Sequence, residues 1–335
     1  MTRLPWPLVF QVIGVGLVVF LVLRTWEVWL LFFTGLIVAA AILPAALWAE
    51  RYRVPRGVTV FAVYVGVAGV FTLMGSLLWP ALTEQWRQFT EQLPKLVDNL
   101  RTGLGQLQTY LGHWGGGLRA PKPEELQALV GTLVTNTFSV TAGVVGFVVG
   151  LFAIVVIAAY LVVDGPMIAA TIIRLTPPRH RAQIKALGPP VLDRIGGYVR
   201  GQMLSSLVVG AVLASGMALL GVKYALLIGA LAAVLNVVPF VGSLVAAVLG
   251  ILSALNESLA LALATAALFW GTNLLEGKYL APHFVGRATG LHPLAVLLAL
   301  FGGLHLGGLI GALVAVPLLA GGWEVVRQLY LAERA

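Results

Sequence analysis

Tyr224–Leu255 is a run of 32 residues without a charged side chain. As one straight helix it would be about 48 Å long, against roughly 30 Å of bilayer hydrocarbon. Its middle reads Asn236-Val-Val-Pro-Phe-Val-Gly242. Pro239 removes a backbone donor and disfavours helix at Val238. The run is therefore expected to break into two arms, each suited to about half a membrane. In lipid, broken backbone is tolerated only where it is buried in protein or lines a cavity. Such a break is either a kinked structural helix or part of a transport site.

A second uncharged run, Leu291–Gly322, has the same length and carries Gly302-Gly303-Leu-His305-Leu-Gly307-Gly308 at its centre. Paired interrupted segments point to a transporter binding site better than either alone. The two runs are not alike enough in sequence to establish a repeat, and they are read as a pair.

The composition of the whole 335-residue chain excludes a soluble protein: 59% of residues are hydrophobic and 10% charged, against about 25% charged in soluble domains. The expected fold is an all-α integral membrane protein. The net charge of +8 does not indicate nucleic acid, because the basic residues flank apolar spans. Cysteine is absent, so disulfides and thiolate chemistry are too.

Leu8–Leu23 follows Arg3 and precedes no small-residue cleavage site, so it reads as a first span rather than a signal peptide. Leu8–Leu23 and Val28–Trp48 are expected as a hairpin turning at Arg24–Glu27. A linker with Arg51, Arg53 and Arg56 faces the cytoplasm, and Val58–Pro80 is the third span; residues 1–80 form the N-terminal part. Residues 81–140 are an extracytoplasmic amphipathic insert. Their stripe from Leu82 through Trp86 and Phe89 to Leu111 has heptad spacing, and a kink or break is expected at Pro94. This stripe either covers its own protein or packs on neighbouring subunits.

Residues 141–335 are read as the transport core. Ala142–Val163 spans, and Asp164-Gly-Pro ends it as a turn, with a proton-carrier role for Asp164 as the alternative. Pro166–Arg200 is a basic amphipathic surface helix, with apolar Ile184, Leu187, Val191, Ile195 and Tyr198, contacting anionic headgroups. Gly188-Pro189-Pro190 should bend it. Met203–Val222 and Leu259–Leu275 are further spans. Tyr279–Gly290 is expected as a loop and Trp323–Ala335 as a short amphipathic tail.

The interrupted runs either cross fully or return as re-entrant hairpins. Both arrangements leave the N- and C-termini cytoplasmic. Hairpins place Glu276–Gly290 inside, which puts more Lys and Arg on the cytoplasmic side.

Several separated motifs resemble the autoinducer-2 exporter family of bacterial permeases. They are Tyr160-Leu-Val-Val-Asp-Gly165, Gly197-Tyr-Val-Arg-Gly-Gln202, Gly221-Val-Lys-Tyr-Ala-Leu-Leu227, Leu235-Asn-Val-Val-Pro-Phe-Val-Gly242, Glu276-Gly-Lys-Tyr-Leu-Ala-Pro282, Val285-Gly-Arg287 and Gly290-Leu-His-Pro293. The resemblance implies about eight membrane segments with a variable insert after the third. It implies export of autoinducer-2 or a similar small polar solute across the bacterial inner membrane, or sodium or lithium/proton antiport. A homo-oligomer is also implied. The chain departs from the family at Phe240 and Ser243, where Tyr and Pro are common, and at Lys278 and Ala281, where Asn and Gln are common. Pro189-Pro190 falls in a helix the family keeps continuous.

No enzyme constellation is present. The five His are scattered, with no metal-ligand spacing, and no phosphate-binding loop or other cofactor motif accompanies the glycines. The candidate solute or ion path comprises Asn236, Pro239, Gly242, Ser243, Asn273, Glu276, Arg287 and His305. Asn236 either meets cargo, with the carbonyls freed at Pro239, or only satisfies the broken backbone. Gly242 allows close helix approach. Glu276 either exchanges a proton or cation, or pairs with Lys278 or Arg287. Arg287 either holds a polar solute or anchors its loop. His305 is either a proton relay or a hydrogen-bonding residue at a Gly-lined turn. From another class, a membrane scaffold or channel-like assembly would use the 81–140 insert to bind partners.

Overall fold

The computed structural model of the chain describes residues 14–17, 20–111, 140–239, 241–286 and 291–331. Among these every regular element is helical, as an apolar backbone in lipid requires. The helices are α1 (Trp26–Glu50), α2 (Arg56–Leu111), α3 (Val140–Val163), α4 (Gly165–Leu175), α5 (Arg181–Leu219), α6 (Ala225–Leu235), α7 (Val241–Leu255), α8 (Leu259–Leu275) and α9 (Pro293–Val326). Five are long and apolar enough to cross a membrane, or six if the bent pair α3–α4 counts as one span. Half of the expected first span, 8–23, lies outside the described residues. So do 112–139 of the insert.

Several expected boundaries are absent. The turn at Arg24–Glu27 narrows to Thr25, the one residue there outside helix. α2 runs through Pro80 and Pro94 without a second helix beginning, so the expected break at Pro94 does not occur. α5 likewise carries Pro189 and Pro190 inside one helix that continues through the fifth span. A proline deletes one backbone donor, and the rest of the ladder can carry a helix past it. At Pro189 and Pro190 the freed carbonyls belong to exposed Lys185 and Ala186. The expected loop at Tyr279 is instead widened π-type helical turns over Glu276–Gly286. The expected C-terminal tail is the end of α9, continued by Arg327–Leu331.

The chain divides into two compact units. The first holds residues 1–60, 150–196 and 291–335. Here Gly35 admits Ile157 against the α1 backbone, leaving no room for a Cβ. The α5 stripe turns inward: Ile195 is buried, and Val191 and Ile195 press on Gly321 of α9. Val191 and Ile195 of the apolar face expected to meet headgroups thus pack against protein.

The second unit holds residues 61–149 and 197–290. Its core joins Val209, Leu213 and Met217 of α5 to Ile228 and Ala232 of α6, Ala246 of α7 and Phe269 of α8. Glycines set the spacing at Gly229 against Ala214 and at Gly250 against Phe269. The start of the insert stripe joins this core: Phe89 is buried there, with Leu82 and Trp86 beside it. Gln85 Oε1 accepts from Leu227 N at 3.0 Å, satisfying a free amide in the first turn of α6. Over 82–89, therefore, the stripe covers its own protein.

Candidate functional site

Both uncharged runs are broken where the sequence places the breaks. The first becomes α6 and α7, with Asn236 at the end of α6 and the helix resuming at Val241. Val238 N turns back to Leu235 O at 3.1 Å, which closes a tight turn ahead of Pro239. The two arms then pack on each other. Gly242 lies directly against Asn236; a Cβ there would sit 2.7 Å from Asn236 Cβ.

The second run breaks inside α9. Gly307 (φ −141°, ψ 22°) and Gly308 (φ 59°, ψ −145°) leave helical geometry. Gly308 occupies a region that L side chains avoid. Across the turn, Gly303 and Gly311 touch so closely that a Cβ on either would strike the other's carbonyl oxygen. On a straight helix those residues would stand about 12 Å apart. The arms therefore fold back into a helical hairpin. The indole of Trp26 donates to Leu306 O at 2.9 Å, taking up a carbonyl beside the turn.

At the first break the released polar groups are gathered rather than left bare. Asn236 is fully buried. Its carbonyl would accept from the residue at 240 in an unbroken helix; instead it accepts from Gln202 Nε2 at 2.7 Å. Its side-chain Nδ2 donates to Glu276 Oε1 at 2.8 Å. Its Oδ1 is buried and has no donor among the described residues. Gln202 is itself buried on α5, and Ser206 donates to the Gln202 carbonyl at 2.8 Å. Three helices, α5, α6 and α8, thus supply one hydrogen-bonded chain, Gln202–Asn236–Glu276.

Of the expected path residues, Asn236, Gly242 and Glu276 come together here, with Pro239 forming the turn. Ser243 is buried in the first turn of α7. Asn273 is exposed on α8. Glu276 takes its hydrogen bond from an amide; no ion pair to Lys278 forms among the described residues. Arg287 lies outside the described residues. His305 is exposed and belongs to the first unit, on the arm of α9 before its turn.

Two features went unread in the sequence. Gln202 closes the Gly197–Gln202 motif; its signal is an amide at the edge of an apolar span, which must find a partner. The other is in the first unit, where Glu324 is 1% exposed. Its Oε2 accepts from Arg194 Nη2 at 2.6 Å, and its Oε1 from Arg327 at 2.8 Å and Gln328 at 3.0 Å. Arg194 thus serves an internal ion pair, where a headgroup contact was expected.

A buried acceptor without a donor, beside a carboxylate at a helix break in an apolar protein, is the arrangement that a polar cargo can use. The comparisons agree in kind. The family model for AI-2E family transporters matches residues 8–331. The chain belongs to the AI-2E transporter family. The putative transport protein YrrI of Bacillus subtilis is 26% identical, over 85% of this chain and 82% of its own length. A putative transport protein of Mycobacterium tuberculosis, MT0215, is 28% identical over 85% and 78%. The AI-2 transport protein TqsA of Escherichia coli is 26% identical over 86% and 82%. Membership, with the apolar helices, makes this AI-2E protein a multi-pass membrane transporter.

Proposed function

We propose that this AI-2E family member is a secondary transporter for a small polar solute of the autoinducer-2 class in the bacterial inner membrane. Its termini are cytoplasmic. The observation that carries the proposal is Asn236: fully buried, hydrogen-bonded on two sides, and with Oδ1 still open to a donor. A buried acceptor left unpaired costs about 1–3 kcal/mol. A hydroxyl-bearing solute removes that cost on arrival, which favours the bound state at this break. The two hairpin turns support re-entrant segments that bring peptide groups to mid-membrane without exposing them to acyl chains. The name of the TqsA relative supports the solute class.

A second reading, cation/proton antiport, is favoured by Glu276. Its carboxylate is partnered by a neutral amide and not, among the described residues, by a cationic side chain. Such a group can exchange a proton for a monovalent cation.

Flux into proteoliposomes under imposed proton or sodium gradients tests both. Asn236→Ala and Glu276→Gln are each expected to lower flux at least about tenfold, a loss of roughly 1.4 kcal/mol or more in barrier terms, with expression intact. Autoinducer-2 flux abolished by Asn236→Ala supports the first reading. Sodium-driven proton movement abolished only by Glu276→Gln supports the second. Full flux of both cargoes in both variants overturns the site.

A further inference from the structure

The transport site leaves the cationic end of the first unit unexplained. After α3 the chain turns by 70° at Asp164 into α4. An 11-residue helix at that angle to a membrane span runs along the bilayer surface more nearly than through it. No residue of α4 is buried. Met167 (69% exposed), Ile168, Ile172 (52%) and Leu175 (82%) are uncovered. At 100° per residue they fall within an arc of roughly 140°. Behind them come Arg174, Arg179, Arg181 and Lys185, all exposed, and no acidic residue occurs between Asp164 and Asp193. Arg181 is committed locally: Nε donates to Thr176 O at 3.0 Å and Nη2 to Arg174 O at 3.2 Å, closing the end of α4. Arg174, Arg179 and Lys185 form no ion pair among the described residues. The expected surface helix had its apolar stripe on α5, but Val191 and Ile195 of that stripe pack on Gly321 inside the unit. The uncovered apolar face belongs to α4.

We propose that α4 and the basic turn behind it, residues 165–185, are an interfacial platform that selects anionic phospholipid. Met167, Ile168, Ile172 and Leu175 enter the boundary between headgroups and acyl chains, while Arg174, Arg179 and Lys185 gather phosphate-bearing headgroups around them. Charge decides the occupant. An apolar helix face alone accepts any lipid; one edged by cations, in a stretch without an acidic residue from 165 to 192, draws anionic ones, at about fivefold per basic residue close to the surface. The proposal does not depend on what is transported.

The chain has no cysteine, so Ile172→Cys in the full-length protein carries a single bimane label. The protein is reconstituted in phosphatidylcholine mixed with phosphatidylglycerol. Nitroxide-bearing phosphatidylglycerol is expected to quench the label several-fold more than nitroxide-bearing phosphatidylcholine at equal mole fraction, with iodide in the water quenching weakly. Adding Arg174→Gln, Arg179→Gln and Lys185→Gln should bring the ratio between the two lipids down to about one. The charge-conserving Arg174→Lys, Arg179→Lys pair should keep it, because headgroup attraction needs charge and not a guanidinium fork. Equal quenching by the two lipids in the labelled parent overturns the proposal. So does a preference that survives the triple substitution. Strong iodide quenching with no lipid quenching also overturns it, and would assign the face to an acidic protein partner.

Discussion

Asn236 and Glu324 show how single polar side chains in an apolar chain divide into those with an acceptor left open and those fully bonded. Glu324 is saturated: Arg194, Arg327 and Gln328 together fill both carboxylate oxygens. Removing one member of such a buried pair leaves the other charge uncompensated, at a cost of about 3–5 kcal/mol. Glu324→Ala should therefore lower the melting temperature sharply in detergent, while Glu324→Gln, which keeps an acceptor, should recover part of the loss. Asn236 is unsaturated, which is what a site needs. Its carbonyl, however, depends on Gln202. Gln202→Ala leaves that carbonyl buried without a donor, at about 1–3 kcal/mol. The expected result is a lower melting temperature together with reduced flux. A melt unchanged from the parent would mean that the hydrogen bond from Gln202 contributes nothing to the break.

At the scale of elements, the two breaks have different causes. The first is made by Pro239, which withholds a donor, and its tightness by Gly242 against the Asn236 backbone. The second is made by backbone freedom, since Gly308 sits at φ 59° and ψ −145°. Gly308→Ala is expected to cost about 1–3 kcal/mol from strain alone. Gly302→Ala, on the same helix but with open space where its Cβ would stand, should be neutral or slightly stabilising. Thermal melts of the two variants check this. Equal melting temperatures would remove the backbone argument for the turn. Elsewhere proline did less than its sequence position suggested: α2 and α5 pass through theirs because one missing donor does not outweigh a long ladder of intact bonds.

At the scale of the whole molecule, the hairpin arrangement makes a topological prediction. If both uncharged runs return to the side they enter, Tyr279, which is 68% exposed, faces the cytoplasm. Tyr279→Cys should then resist a membrane-impermeant maleimide in intact cells and react in inverted vesicles. Labelling from outside would mean that α6 and α7 together cross the bilayer. The two compact units each contain one broken run.

Much of this was legible in the residues themselves. An uncharged run too long for the bilayer, with Pro239 at its centre, had to break, because lipid offers no partner to a free peptide group and Pro offers no donor. A Gly-rich centre could break the other run because glycine alone reaches the combined φ and ψ of Gly308 at little cost. Asn236 and Glu276 stood out as polar groups in or beside apolar stretches. What the sequence could not carry was the pairing. Nothing in the spacing of Gln202, Asn236 and Glu276 brings three helices to one point, and nothing marks Arg194 as the partner of Glu324, 130 positions away. The same holds for the amphipathic stripe on α5: periodicity shows that a face is apolar, but only the packing against Gly321 shows that protein covers Val191 and Ile195. Local chemistry fixes where a chain bends and which groups need partners; which partners they find is a property of the folded core, because the contacts that settle it join residues far apart in sequence.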